Sequence, residues 1–242
     1  KAVTSVSGAV GGAPMPPLRA TWHALTQVLI VGLGASVGRE VAPREMAAAF
    51  SAAAADRLGL TPEDRRIIVA CGAGAGLAAV YSIPLSGAIY TLEILLVSRS
   101  GRAVAPAFLT SGLAVLISTG FTRPEAFYAV PTLTPSLSLT VFAALAGPLL
   151  GAAGWAFKQA VARVSADRPR DWRLLVALPM ASFLVGVIAV WVPSVLGNGQ
   201  ASAQTQFDAT WAAGAGLGVA ALVLAAKTLT TFLTIRAGGW GG

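Results

Sequence analysis

Nineteen consecutive residues, Ala20 to Gly38, contain no Lys, Arg, Asp or Glu. An uncharged run of that length predicts a membrane-spanning helix rather than a helix of a soluble core. Further apolar stretches follow at a regular rhythm: Ile67 to Leu92, broken by Pro84, then Ala103 to Phe121, Leu137 to Phe157, Leu174 to Val195 and Ala209 to Ala226. The pattern predicts roughly seven to nine helical segments, several of them too short to span a bilayer alone. In Ser82-Ile83-Pro84-Leu85-Ser86-Gly87 the proline removes a backbone donor and directs the chain into a new segment.

Composition narrows the class. Hydrophobic residues make up 55% of the chain and charged residues 11%, with a mean hydropathy of +0.73, which fits an all-α polytopic membrane protein. Glycine, at 27 residues, favours close helix contact, because small side chains let backbones approach where burying Leu against Leu gains little in lipid. Gly72-Ala73-Gly74-Ala75-Gly76 is predicted to be such a contact surface.

The net charge of +7 raises nucleic acid as a partner. The basic residues, however, sit in predicted loops and form no stripe with interleaved aromatics, so no nucleic acid is expected. Lys158, Arg163, Arg168, Arg170 and Arg173 crowd one connection, while the loops Thr122 to Ser136 and Gly197 to Asp208 hold one basic residue between them. The positive-inside rule makes the Lys158–Arg173 loop cytoplasmic and the other two external, with Arg99 and Arg102 inside again two crossings earlier. Cys71, the one cysteine, excludes an intramolecular disulfide and reads as packing. One His and one Cys are too few good ligands for a transition metal, and no cofactor is expected. A start at Lys1 and an end at Gly239-Trp240-Gly241-Gly242 with no terminal helix suggest part of a longer protein.

Charge inside the uncharged landscape marks the candidate sites. Gly38-Arg39-Glu40-Val41-Ala42-Pro43 sets a carboxylate and an arginine between apolar runs. A helix beginning near Arg39 would turn its unpaired first-turn N–H groups and the positive end of its dipole outward, which makes an anion site. A carboxylate tethered there can occupy that site as an internal anion and leave it on protonation. The competing reading is a first-turn glutamate that stabilises its own helix or pairs with Arg39 or Arg44. Glu93, in Leu92-Glu93-Ile94-Leu95-Leu96-Val97, reads first as a carboxylate snorkelling or loop-paired near a helix end, with a place on a transport pathway as the alternative. Lys227 either faces an aqueous vestibule or pairs internally. Gly34-Ala35-Ser36-Val37-Gly38 matches the nucleophile elbow of serine hydrolases, but that elbow needs a strand before its turn. Ser36 lies at the end of a helical run, so packing is favoured. His23, the one available base, reads as a helix-end residue at the membrane surface.

Together these stretches resemble the CLC family of chloride channels and chloride/proton antiporters, over essentially the whole chain. Gly38-Arg39-Glu40 matches the start of that family's G-K/R-E-G-P signature, whose glutamate is the external gate. The segment Ala78-Ala79-Val80-Tyr81-Ser82-Ile83-Pro84-Leu85-Ser86-Gly87, continuing to Leu92-Glu93, is similar to the family's A-x-F-x-A-P-L-A-G segment, which ends in a glutamate. Pro193-Ser194-Val195-Leu196-Gly197-Asn198-Gly199 resembles the P-x-x-x-G-x-G external turn, and Lys227-Thr228-Leu229-Thr230-Thr231 the basic-x-x-T-T helix. Their order and spacing together are specific.

The resemblance implies the all-helical CLC fold, with two inverted repeats whose interrupted helices aim their N-termini at an anion near the midplane. Residues 1–242 would form one partial transmembrane domain, 1–121 the latter part of the first repeat and 137–242 the opening part of the second. The G-S-G-I-P element, the G-x-F-x-P element and the pore tyrosine would lie outside this chain. The resemblance further implies a homodimer with a pore in each subunit, to whose contact the small-residue surface from Gly72 to Gly87 could contribute. Two departures stand out. The family's Gly-Pro after the glutamate reads Val41-Ala42 here, with Pro43 one place later, so the anion-facing amides of Gly38, Arg39 and Val41 are expected to sit differently. Many family antiporters carry a proton-transfer glutamate right after the position of Glu93, where this chain has Ile94.

The expectation is transport of chloride or a similar small inorganic anion through the cell membrane of a prokaryote. Glu40 would be the gate, and proton coupling would be weak, absent or by a water route. A secondary transporter of an organic anion and a membrane-embedded serine hydrolase using Ser36 and His23 stand as alternatives, although no enzyme activity is expected.

Overall fold

A computed structural model describes residues 4–98, 100–121, 128–130, 134–239 and 241. Arg99, most of the Thr122–Ser136 loop, Trp240 and Gly242 lie outside the described residues, and with them part of the charge pattern used above for orientation. The described residues are helical with no strands. They form α1 (Val6–Val10), α2 (Pro17–Gly32), α3 (Val41–Arg57), α4 (Pro62–Tyr81), α5 (Pro84–Tyr90), a π-helical stretch Thr91–Leu96, α6 (Gly101–Phe121), α7 (Leu137–Ala166), α8 (Leu174–Trp191), a 3-10 turn Pro193–Val195, α9 (Gln200–Phe207) and α10 (Ala209–Arg236).

The helix expected over Ala20–Gly38 is shorter and earlier than the uncharged run. α2 has 16 residues, and Gly34, at φ +104°, turns the chain out of the helix. Among the described residues, α2 is too short to count as a span, and four segments are long and apolar enough to cross a membrane: Gly101–Phe121, Leu137–Ala166, Leu174–Trp191 and Gly218–Arg236. The last follows a break in α10 at Gly216, whose φ of +65° and ψ of 174° are not helical. The apolar stretch expected to end at Ala226 therefore runs on to Arg236, and Lys227 falls well inside it.

The chain divides into two compact units, one of residues 1–30, 39–127 and 242, the other of 31–38 and 128–241. In the first, α3 and α4 form a hairpin, and α6, α5 and α1 pack on α4. Thr61 caps α4 by accepting from the Asp64 N–H, with Pro62 at its first turn. A hydrogen bond from Arg65 to Asp56, 2.6 Å, closes the hairpin and holds the Asp56 carboxyl below its usual range. The core is made of small side chains, including Ala48, Ala52, Val69, Ala70, Ala73 and Ala88.

Glycines decide how tightly α4 is held. A Cβ on Gly72 would meet Ser51 Oγ and lie 2.8 Å from the Ala47 carbonyl, and one on Gly76 would strike the Pro43 carbonyl, both on α3. On another side of the same helix, a Cβ on Gly74 would strike Thr91 Oγ1 and lie 2.7 Å from the Gly87 carbonyl. Gly72, Gly74, Gly76 and Gly87 are thus used within the chain, between α3, α4 and α5, while Val80, Ile83 and Leu85 of the same stretch are exposed.

In the second unit α10 packs against α8, α9 and α7. Lys158 and Arg163, expected in a loop, lie inside α7, which continues to Ala166; the connection proper carries Arg168, Arg170 and Arg173. Arg163 sits in the last turn, where a cation meets the negative end of the helix dipole. No residue of α7 is buried. α7 is apolar and long enough to cross a membrane, and a helix satisfies its backbone polar groups internally, as lipid requires.

Candidate functional site

The α3 N-terminus lies close to where the sequence placed it, two residues later than Arg39. Glu40 is the N-cap residue, with φ −68° and ψ −20°, and its side chain does not cap its own helix. Pro43 occupies the third helical position, so one of the usual orphan N–H groups is missing there. The Ala42 N–H makes a long turn bond to the Arg39 carbonyl, 3.3 Å. Among the described residues, the backbone N–H groups of Gly38, Arg39, Glu40 and Val41 have no hydrogen-bond acceptor. Four consecutive open donors at a helix start are an electrostatic setting for negative charge.

The partner of the Glu40 carboxylate is neither Arg39 nor Arg44. Tyr81, the last residue of α4, donates its hydroxyl to Glu40 Oε1 at 2.6 Å. Arg44 turns the other way: its Nε donates to the Glu40 carbonyl at 2.8 Å and its Nη1 to the Tyr90 hydroxyl at 3.0 Å, with the guanidinium 5.7 Å from the Tyr90 ring centroid. Arg39 is exposed. It borders a mostly apolar cavity of about 550 Å³ lined also by Leu25, Val28, Pro43, Met46 and Val80.

A second carboxylate went unnoticed in the sequence. Glu45 has a side chain 4% exposed, and its Oε2 lies 2.6 Å from His23 Nδ1. His23 is in the body of α2, not at a helix end. A buried carboxylate is costly unless paired, and the imidazole is its partner. The signal available in sequence was slight: Glu45 follows Arg44 in a charged pair, which reads as a solvated face.

The serine and lysine candidates lie in the other unit. Ser36 is fully buried and hydrogen-bonded to Thr230 Oγ1 at 3.0 Å and Thr231 Oγ1 at 3.4 Å, an arrangement that ties a loop to a helix. Lys227 Nζ donates to the carbonyls of Val195 at 2.8 Å and Gly197 at 2.6 Å, so α10 is fastened to the turn through Pro193–Gly199. Gly197 and Gly199 take φ +68° and +90° there, a conformation that glycine adopts without strain. Lys227 also lines a cavity of about 810 Å³ with Asn198, Ser202, Gln206 and Thr231.

Glu93 and Ile94 lie in the π-helical stretch after α5 and are both exposed. Such π segments occur often at functional sites. Among the described residues no cluster of three metal-ligating side chains occurs.

The comparisons with known proteins converge. The chain is 28% identical over 247 residues to a putative chloride channel protein ClcB-like of Ralstonia nicotianae, a match covering 97% of this chain and 55% of the relative. It is 29% identical over 191 residues to the voltage-gated ClC-type chloride channel ClcB of Escherichia coli O81, covering 75% of this chain and 44% of the relative. The ClcB of Escherichia coli O157:H7 is 28% identical over the same length. The chain spans about half the length of the curated relatives it matches. A family model described as voltage gated chloride channel matches residues 1–242. With its helical, membrane-length segments, this integral membrane chain belongs to the voltage gated chloride channel family.

Proposed function

We propose that the whole protein moves chloride or a similar small inorganic anion across a prokaryotic cell membrane, with Glu40 as the gate. The observation that carries the reading is the α3 start, where open N–H groups from Gly38 to Val41 adjoin a carboxylate that makes no ion pair among the described residues. The mechanism follows from charge competition. A carboxylate near a helix N-terminus substitutes for the transported anion; once protonated it loses its attraction to the amides and withdraws, and an anion takes its place. The relatives' names, which describe chloride channels, support the choice of anion.

In this reading the amides of Gly38, Arg39 and Val41 are anion ligands. Val41 and Ala42 in place of Gly-Pro, with Pro43 one place on, change which amides are open. Proton coupling is weak or absent, because Ile94, which cannot hold a proton, stands where antiporters of the family carry a second glutamate. Lys227 is structural, held by two backbone carbonyls. The protein is a homodimer with one pore per subunit, each subunit built of two inverted repeats, of which this chain holds 1–121 and 137–242. Ser36, buried and tied to two threonines, gives no support to hydrolysis.

The test is chloride efflux from liposomes containing the whole protein, with proton flux recorded alongside. Glu40→Gln is expected to free the efflux from its dependence on pH while both proteins conduct. Silence of both toward small inorganic anions would overturn the reading and favour an organic anion.

A further inference from the structure

Tyr81 falls where the family's A-x-F-x-A-P-L-A-G pattern has phenylalanine, and the hydroxyl it adds is the group that meets the gate. We propose that Tyr81 is a latch: a positioning residue whose O–H holds the Glu40 carboxylate off the open amides of Gly38 to Val41, and so sets how readily an external anion reaches them. This rests on the transport reading above.

The geometry is direct. The Tyr81–Glu40 separation of 2.6 Å lies in the range of O–H donors bound to a charged oxygen, a stronger bond than one between neutral groups. The ring is fixed by the backbone around it. α4 stops at Tyr81 because Ser82 takes a left-handed conformation, φ 55°, the Ile83 N–H returns to the Ala78 carbonyl at 3.1 Å, and Pro84 opens the next helix. The latch therefore sits at the end of α4, across from the N-cap residue of α3.

Nothing else described holds that carboxylate. Arg44 is engaged by the Glu40 carbonyl and by Tyr90 of α5, and Arg39 is exposed. α4 carries no other titratable side chain in its last turns, α1 carries none, and Glu45 of α3 is paired with His23 of α2. Among the described residues, Tyr81 is the one side-chain donor to Glu40. A single donor makes the latch easy to isolate, since phenylalanine fills the same volume and removes the O–H alone.

The experiment is chloride efflux from liposomes carrying the whole protein as wild type, Tyr81→Phe, Glu40→Gln and the double variant. At neutral pH, Tyr81→Phe is expected to lower efflux roughly tenfold, the equivalent of one hydrogen bond to a charged group. The half-saturating external chloride rises, because an unlatched carboxylate competes with the anion for the same amides. In the Glu40→Gln background Tyr81→Phe changes neither quantity, which a merely structural tyrosine would not reproduce. A wild type that conducts through a Glu40-dependent gate, with Tyr81→Phe indistinguishable from it, overturns the latch and leaves the transport reading standing. A Tyr81→Phe effect of full size in Glu40→Gln overturns it too, as does a loss of efflux matched by a lowered melting temperature. A wild type silent toward chloride overturns both.

Discussion

The two carboxylates at the start of α3 differ in what surrounds them. Glu40 is half-buried with a hydroxyl for a partner, and Glu45, five residues on, is nearly inaccessible and faces an imidazole. The first arrangement suits a group that moves, the second one that stays. Removing the imidazole leaves Glu45 buried and alone, so His23→Ala is expected to lower stability by about 3 kcal/mol, while the double variant His23→Ala/Glu45→Ala recovers much of the loss. Reversible unfolding in detergent micelles reads both values. Lys227 makes a parallel case in the second unit. Its ammonium donates to two carbonyls of one turn, and bonds of this charged kind contribute about 1.5–3 kcal/mol each. Lys227→Met is expected to loosen the Pro193–Gly199 turn, seen as faster hydrogen exchange at Gly197 and Gly199, whereas Lys227→Arg retains most of its protection.

At the scale of elements, the glycines of α4 separate from glycines of the same type elsewhere. Gly74 is pressed between Thr91 and the Gly87 carbonyl, while Gly112 of α6 has nothing within 4 Å of where a Cβ would stand. Gly74→Val is therefore expected to destabilise by about 3 kcal/mol or to displace α5. Gly112→Ala, freed of packing cost, is expected to stabilise by about 0.5–1 kcal/mol through helix propensity. Thermal melting of the two variants side by side checks the contrast. The sequence alone could tell that Gly72 to Gly76 was a contact surface, because small residues at close spacing have few other uses in an apolar helix. It could not tell which helices would press on it, since that depends on α3 and α5 folding back on α4. Helix ends were legible to a lesser degree. Ala20–Gly38 is uncharged throughout, yet the helix ends at Gly32, because backbone conformation at Gly34 and not hydropathy stops it.

For the whole molecule, the class was plain from long uncharged runs, and the family from short motifs in order. The pairings were hidden. Tyr81 and Glu40 are 41 residues apart and His23 and Glu45 are 22, so each depends on how helices meet and leaves no local spacing to read. Four membrane-length helices with little buried surface and a family model matching residues 1–242 make a bilayer the working environment. In the reading proposed above, the open amides at the α3 start are ligands for the anion, and the carboxylate beside them is its competitor.

Chloride and proton fluxes recorded together from liposomes of the whole protein, wild type against Glu40→Gln, test this most directly. The account predicts chloride efflux that rises as pH falls in the wild type, is independent of pH in Glu40→Gln, and carries little or no proton countercurrent in either. A wild type that exchanges protons for chloride at a fixed ratio would contradict the weak coupling inferred from Ile94. Efflux with the same pH dependence in both proteins would contradict the gate itself.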